Sequence, residues 1–421
     1  MVDERSGLIY DWNSAPDDPP ALPRRVGLVD ETLRDGLQSP SVRQPQVEDK
    51  LRLLHLMADL GIDDVDIGLP AAGERFFREA AILAQEIFEQ GLPLQCYCAA
   101  RTLQADIEPV VELAQRVGGP VGAALFIGSS PIRRYAEGWE VADLLRHIGT
   151  AVSFAVTHGL RVMFVTEDTT RTDPEVVRQI YSAAIECGAS QLALCDTVGH
   201  ATPRGAERLV RFVRGFAGPH AVIDWHGHCD RGLGLACALA AIEAGADRIH
   251  ATALGIGERL GNTPMEQVLV NLQLLGYIQR DLTNLPDYCR LTAEACGAPL
   301  PPNQPVVGAD AFRTASGVHA AAVIKALEMG NHWLADRVYS GVPAAMVGRT
   351  QEIEIGPLSG GSNVRYVLRQ LGVEPDGDLV RSVLEVAKSS DHVMSEVELL
   401  RTVVGVLATL RAPMQMECKE K

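Results

Sequence analysis

From Val26 to about Tyr277 the chain alternates between two hydrophobic periods, and that alternation limits the folds open to it. Short apolar runs recur at Val26–Val29, Val65–Ile67, Leu94–Tyr97, Val121–Phe126, Val162–Val165, Leu192–Leu194, Ala221–Trp225 and Arg248–Ala251, eight in all. Between them lie stretches with helical spacing: Gln46–Leu60, Glu74–Gln90, Val141–Thr157, Pro174–Glu186, Pro203–Arg214 and Leu233–Ala244. Helix starts are expected at Thr172-Asp173-Pro174 and Thr202-Pro203, where a polar cap precedes a proline whose missing N–H costs nothing in a first turn. Eight strand–helix units in about 250 residues predict a (β/α)8 barrel. A doubly wound sheet is the alternative, but it would carry a Gly-rich first turn, and D-E-T-L-R-D-G at 30–36 is not one.

Polar segments fall where the eight runs end. Asp30–Asp35, Glu167–Arg171, Asp196–Thr197, His226–His228 and Thr252–Asn262 all follow strand runs. In a barrel those positions share the C-terminal face, where barrel enzymes place their chemistry. His226 and His228 alternate in W-H-G-H-C-D at 225–230, so on a strand both imidazoles share one side. Two such imidazoles can converge on one divalent ion, and a carboxylate from elsewhere completes a set of two His and one acid. Asp35 is the candidate third ligand. Cys229 faces the opposite side from the histidines, which suits packing better than ligation.

The 421 residues allow one large domain and a smaller one, and 47% apolar residues supply a substantial core. A formal charge of −16 disfavours a nucleic-acid or anionic-membrane partner. Met1–Pro20 carries Asp3, Glu4, Asp11, Asp17 and Asp18 with no apolar core of a signal peptide, and no apolar run is long enough to span a bilayer. The nine cysteines are scattered, with C-x-C at 96–98 lacking the paired spacing of a structural zinc site. They read as reduced thiols of a cytoplasmic protein.

The expected organisation is an N-terminal extension (1–25), a catalytic barrel (26–280), a linker (281–305) and small, mostly helical C-terminal subdomains (306–421). Pro299–Pro305, P-L-P-P-N-Q-P, reads as an extended linker or loop. Val364–Leu371, Asp378–Ser389 and Ser395–Leu410 read as helices, and 411–421 as a frayed end.

D-E-T-L-R-D-G-L-Q at 30–38, W-H-G-H-C-D at 225–230 and G-I-G-E-R-L-G-N at 255–262 together resemble the isopropylmalate synthase/homocitrate synthase family. The resemblance runs from about Val26 to Gly372. It implies a metal-dependent barrel that joins the methyl carbon of acetyl-CoA to the ketone of a 2-oxo acid and then hydrolyses the thioester. By that resemblance Asp35, His226 and His228 hold a divalent metal (Mn, Zn, Mg or Co) and Asn262 supports its shell. Arg34 binds the developing oxyanion, Gln38 positions substrate, and Thr197, in D-T-V-G, bonds the substrate carboxylate. Glu167, in E-D-T-T-R, assists proton movement or orients a catalytic group. His319 and Tyr339, beyond the barrel, resemble family residues that reach a neighbouring subunit's barrel, which implies a homodimer with small-molecule substrates. Related acyl-CoA lyases carry a Cys in the glycine loop; this chain has none there, which favours a synthase.

For the 2-oxo acid the motifs divide. S-S-P-I-R-R-Y-A-E-G at 129–138 resembles homocitrate synthase, and Arg133 would then recognise an anionic side chain, as in homocitrate or phosphonomethylmalate formation. Met163 and Val165 replace polar residues of that enzyme's fifth strand, and Ala193 and Cys195 replace the Asn and Pro usual in isopropylmalate synthase. An apolar 2-oxo acid, giving an isopropylmalate- or benzylmalate-type product, is the alternative. Only about fifty residues follow Gly372, too few for the regulatory domain of full isopropylmalate synthases.

Overall fold

The computed structural model describes residues 7–13 and 25–411. Most of the expected N-terminal extension and nearly all of the expected frayed end lie outside the described residues.

All eight apolar runs are strands: β1 (Gly27–Asp30), β2 (Asp64–Asp66), β3 (Gln95–Arg101), β4 (Gly122–Gly128), β5 (Arg161–Glu167), β6 (Gln191–Asp196), β7 (Val222–Gly227) and β8 (Arg248–Ala251). They pair in parallel in chain order, and β8 pairs back onto β1 with Gly27 opposite Arg248 and Asp30 opposite Ala251, closing a barrel. This is the (β/α)8, or TIM, barrel. Such strands are covered on both faces, which is why β6 (Q-L-A-L-C-D) is buried throughout.

Helices α1 (Val47–Asp59), α2 (Glu74–Glu89), α3 (Gln104–Val117), α4 (Pro131–Glu137), α5 (Val141–Thr157), α6 (Pro174–Glu186), α7 (Pro203–Ala217) and α8 (Gly234–Ala244) fall between successive strands, α4 and α5 sharing one connection. The Thr202 hydroxyl accepts from Gly205 N at 3.2 Å, with Pro203 in the first turn, as the sequence predicts. Asp173 precedes α6 but makes no side-chain capping bond. Helix α3 was not legible because Pro109 interrupts its pattern; its apolar stripe of Ile107, Val110, Val111 and Leu113 is nonetheless buried. Pro109 is the sixth residue of the helix, so the bond an N–H there would make to the Ala105 carbonyl is missing, and burial of the stripe outweighs that loss.

Side chains alternate along each strand. Cys96, Cys98 and Ala100 of β3 join the large core between strands and helices, whereas Tyr97 packs in a second cluster with Ala124, Met163, Ala193 and Cys195 inside the barrel. Below the strand ends the interior is charged. Arg248 bonds Asp64 and lies 3.6 Å from Asp224.

After β8 come α9 (Met265–Leu274) and α10 (Leu285–Cys296). The 281–305 stretch, expected as a linker, therefore contains a three-turn helix. Its Leu285, Tyr288, Cys289 and Leu291 are buried in the barrel core, and Tyr288 bonds both Asp30 and Thr32. Apolar residues with helical spacing outweighed the proline-rich context; only the segment after Gly297 is loop, running through turns to Gly308.

Helices α11 (Gly317–Glu328) and α12 (His332–Ala335) form one small apolar cluster. Helices α13 (Gly361–Gln370), α14 (Gly377–Ser389) and α15 (Glu396–Arg411) form another. Among the described residues no helix is long and apolar enough to cross a membrane.

Candidate active site

Every strand end contributes to one cavity of about 200 Å3 at the C-terminal face. Glu31, Arg34, Asp35 and Gln38 come from the β1 end and Asp66 and Leu69 from β2. Ala99 comes from β3, Ala124 and Phe126 from β4, and Val165 and Glu167 from β5. Cys195 and Thr197 come from β6, His226 and His228 from β7, His250 from β8, and Glu258 from the loop after it.

The two β7 histidines converge as their spacing predicts. Their Nε2 atoms are 3.3 Å apart, and Asp35 Oδ2 lies 3.6 Å from one and 3.8 Å from the other. All three residues are buried, and one candidate ligand atom of each lies within 4.8 Å of the others. Asn262 Nδ2 donates to Asp35 Oδ1 at 2.7 Å and to the Ile256 carbonyl at 3.1 Å, so its side chain orients Asp35. Cys229 donates to the Asn262 carbonyl at 3.2 Å, a packing contact away from the imidazoles.

This donor set fits a divalent metal. Burial pushes both imidazoles below their ordinary value despite Asp35, so each keeps a lone pair. Burial alone would raise Asp35, but the Arg34 charge beside it holds its carboxyl below the usual value and ionised. His228 Nδ1 is buried with no protein partner among the described residues. The glycine loop leaves room for the set: at Gly257 (φ +149°) a Cβ would lie 2.2 Å from Asn262 Nδ2 and 2.9 Å from Asp35 Oδ1.

Glu31, His226 and His250 form a second geometric candidate. Its chemistry is wrong for a metal. His250 Nδ1 is 2.8 Å from Glu31 and its Nε2 is 3.4 Å from Asp224. Burial opposes the charge, but these two carboxylates raise His250 to about 9, and an imidazolium has no lone pair to give.

Arg34 stands between the donor set and this second group. Its guanidinium reaches Glu31 at 2.5 Å, Asp35 at 3.0 Å and Asp66 at 3.2 Å, with Gln38 Oε1 at 3.5 Å. Burial disfavours its charge, but the three carboxylates hold it firmly ionised. The site thus presents a fixed cation beside the donor set.

On the far rim, Asp168 sits at φ +63° and is clamped by Arg171 through two bonds of 2.7 Å. Its backbone N–H donates to the Thr197 hydroxyl at 2.8 Å, tying the β5 and β6 ends together. Burial raises Glu167 above its ordinary value, with Arg133 partly offsetting the rise.

Arg133, His319 and Tyr339 are sequence candidates that do not line the cavity. Arg133 lies on α4, half exposed, 3.1 Å from Glu137 and 3.8 Å from Glu167. His319, on α11, stacks on Tyr339 with ring centroids 3.9 Å apart, and both are exposed. Ser316 Oγ lies 2.8 Å from His319 Nδ1. Sequence reasoning missed Glu31, Asp66 and His250. The available signal was polar residues inside short strand runs, as in R-I-H-A of β8.

A closed barrel with a buried His–His–carboxylate set beside an ionised arginine defines the class. The chain matches the HMGL-like family over residues 25–292 and belongs to it. Among curated relatives it is 35% identical to a homocitrate synthase of Methanopyrus kandleri, over 87% of this chain and 88% of that one. It is 32% identical to a homocitrate synthase of Pyrococcus horikoshii (89% and 100% covered). It is 31% identical to a 2-isopropylmalate synthase of Nitratidesulfovibrio vulgaris (86% and 70% covered). Among solved structures, the HMG-CoA lyases of Bacillus subtilis (TM-score 0.56, 22% identity, 66% of this chain and 96% of that one) and Brucella melitensis (0.54, 19%, 64% and 98%) share the fold.

Proposed function

We propose that the protein is a metal-dependent acetyl-CoA:2-oxo acid C-acetyltransferase. It joins the methyl carbon of acetyl-CoA to the ketone carbon of a 2-oxo acid, and water then cleaves the thioester. The products are a 2-substituted malate and free CoA. The observation that carries this reading is the meeting of Arg34 with Asp35, His226 and His228 in one cavity, in a chain related to synthases along most of its length.

Asp35, His226 and His228 would hold the ion, with Asn262 fixing the Asp35 carboxylate. A set of two nitrogens and one oxygen suits Mn, Zn or Co, and Mg less well. The bound ion supplies Lewis-acid polarisation of the ketone. Arg34 donates to the ketone oxygen as charge builds there, and its carboxylate partners keep it from reorienting. Thr197 and Gln38 bond the substrate carboxylate and hold the ketone in register. Glu167, raised by burial, exchanges a proton at the rim.

A base must remove a methyl proton from acetyl-CoA. We assign that task to His319, with Tyr339 beside it, delivered from the C-terminal subdomain of a second copy. Their exposure and mutual stacking away from their own cavity support a homodimer with crossed arms. The catalytic barrel runs from residue 26 through helix α10, and the residues from 306 on form the arm-bearing part. We place the enzyme in the cytoplasm; its free cysteines support that.

The test is release of CoA thiol from acetyl-CoA by the purified protein, with the product's mass determined. Thiol release should require a 2-oxo acid, stop on chelation and return with Mn or Zn. Cleavage of a 3-hydroxyacyl-CoA with no condensation would instead assign a lyase.

A further inference from the structure

We propose that the 2-oxo acid taken by this site carries an uncharged, apolar side chain, seated against Ala99, Ala124, Phe126 and Val165. This rests on the acetyltransferase reading above and adds the substrate class.

The cavity has two unlike halves. The β1, β2, β7 and β8 side carries the donor set, Arg34 and the Glu31–His250 pair. The β3 to β6 wall below the rim is Ala99, Ala124, Phe126, Val165 and Cys195. Deeper inside the barrel Tyr97, Met163 and Ala193 pack with Ala124, Val165 and Cys195. Burial pushes the Cys195 thiol well above its ordinary value, so it presents a neutral surface. A 2-oxo acid has three groups on its ketone carbon. When the ketone oxygen faces Arg34 and the donor set and the carboxylate reaches Gln38 and Thr197 at the rim, the third group points down at the apolar wall. The small residues Ala99, Ala124 and Cys195 recess that wall and leave room for more than a methyl group.

Charge excludes the anionic alternative. Among the described residues Arg34 is the one arginine lining the cavity, and Glu31, Asp35 and Asp66 already share it. The carboxylates lining the cavity include Glu167 and Glu258 as well. A distal carboxylate on the substrate would meet those acids, and the other cation lining the cavity, His250, is already held between Glu31 and Asp224. Such a charge loses its water without compensation. Arg133, the residue that suggested an anionic substrate, stands outside the cavity with its charge between Glu137 and Glu167.

The experiment is a substrate panel on the purified full chain with Mn, read two ways. CoA release gives kcat/KM for 2-oxoisovalerate, 4-methyl-2-oxopentanoate and pyruvate against oxaloacetate and 2-oxoglutarate. Calorimetry gives each acid's affinity without needing turnover. The apolar acids should lead the dianionic ones by about 100-fold or more in both readouts. Equal or better values for oxaloacetate or 2-oxoglutarate would overturn the proposal and leave the condensing activity standing. Preferential binding of apolar acids with no CoA release would uphold the wall and sink the reaction. Ala124→Leu, which fills the recess, should lower kcat/KM for 4-methyl-2-oxopentanoate about tenfold more than for pyruvate. An unchanged ratio, in a variant that still binds Mn, would count against the wall as the side-chain seat. The milder Ala99→Val reads the same ratio if Ala124→Leu does not fold.

Discussion

Asn262 and Asp35 lie 227 positions apart in the chain and meet in a 2.7 Å bond from Nδ2 to Oδ1. Asn262 Nδ2 also donates to the Ile256 carbonyl, so two bonds from one nitrogen fix its amide. Only the other oxygen of Asp35 faces the histidines. A carboxylate held this way offers one defined lone-pair direction rather than a rotating pair.

Replacing Asn262 by Ala should free that carboxylate. The expected outcome is a 10- to 100-fold weaker affinity for Mn or Zn, roughly what loss of an outer hydrogen bond to a metal ligand costs. Titration against a chromophoric chelator reads this directly. Wild-type affinity in the variant would show that Asp35 is oriented by something else.

Gly257→Ala tests the loop that encloses the same pair. The added Cβ would fall inside contact distance of Asn262 Nδ2, at a positive φ that disfavours any side chain. We expect a stability loss of about 1–3 kcal/mol and a fall in metal affinity at least as large as that of Asn262→Ala. A variant with full affinity and unchanged melting would mean that the loop moves aside freely.

Arg34→Lys keeps the charge but loses the fork that reaches Glu31, Asp35 and Asp66 together. If Arg34 stabilises the oxyanion, kcat should fall about 100-fold or more while 2-oxo acid affinity changes far less. An equal loss in both would make it a binding residue only.

Asp30 gives a pH prediction away from the metal. It is fully buried, and burial raises its carboxyl from 3.8 to about 6, even though Tyr288 and Thr32 donate to it. The folded state therefore holds this proton at pH values where the unfolded chain has lost it. Stability from Asp30 is present below pH 3.8 and is lost as pH rises through about 6. A shift of about two units corresponds to ~3 kcal/mol. Asp30→Asn should abolish that dependence. Urea midpoints of both proteins from pH 4 to 7 should converge or cross as the wild type weakens, and parallel curves would refute the assignment.

Crossed arms can be tested by mixing subunits. His319→Ala and Asp35→Asn should each be nearly inactive alone. Co-refolded in equal amounts, they should regain about a quarter of wild-type activity, because half the dimers then pair one intact barrel with one intact arm. No recovery would place His319 in service of its own barrel or of none.

The barrel was legible because its signal is periodic: eight apolar runs at regular spacing leave few topologies. Asp35, His226 and His228 were legible for a related reason, since a strand's two-residue period dictates that both histidines face one way. Partnerships set by closure of the ring were not legible. Glu31 meets His250 only because β8 lies beside β1, and no local pattern announces that pairing. The place of Arg133 was not legible, because a motif fixes neighbours along the chain and not the direction of a side chain on α4, where Glu137, one turn on, shares its charge. Helix α10 was hidden by the prolines after it. Tyr288, reaching back to Asp30 and Thr32, is what makes that segment part of the barrel.

Because β8 closes onto β1, the site is assembled from opposite ends of the barrel's sequence. During synthesis Asp35 emerges long before His226, His228 and Asn262. A partly made chain holds Asp35 without its two imidazole partners, so the proposed donor set cannot exist before β7 is made. Metal capture at this set would then come after synthesis of most of the barrel, and would report that the ring has shut.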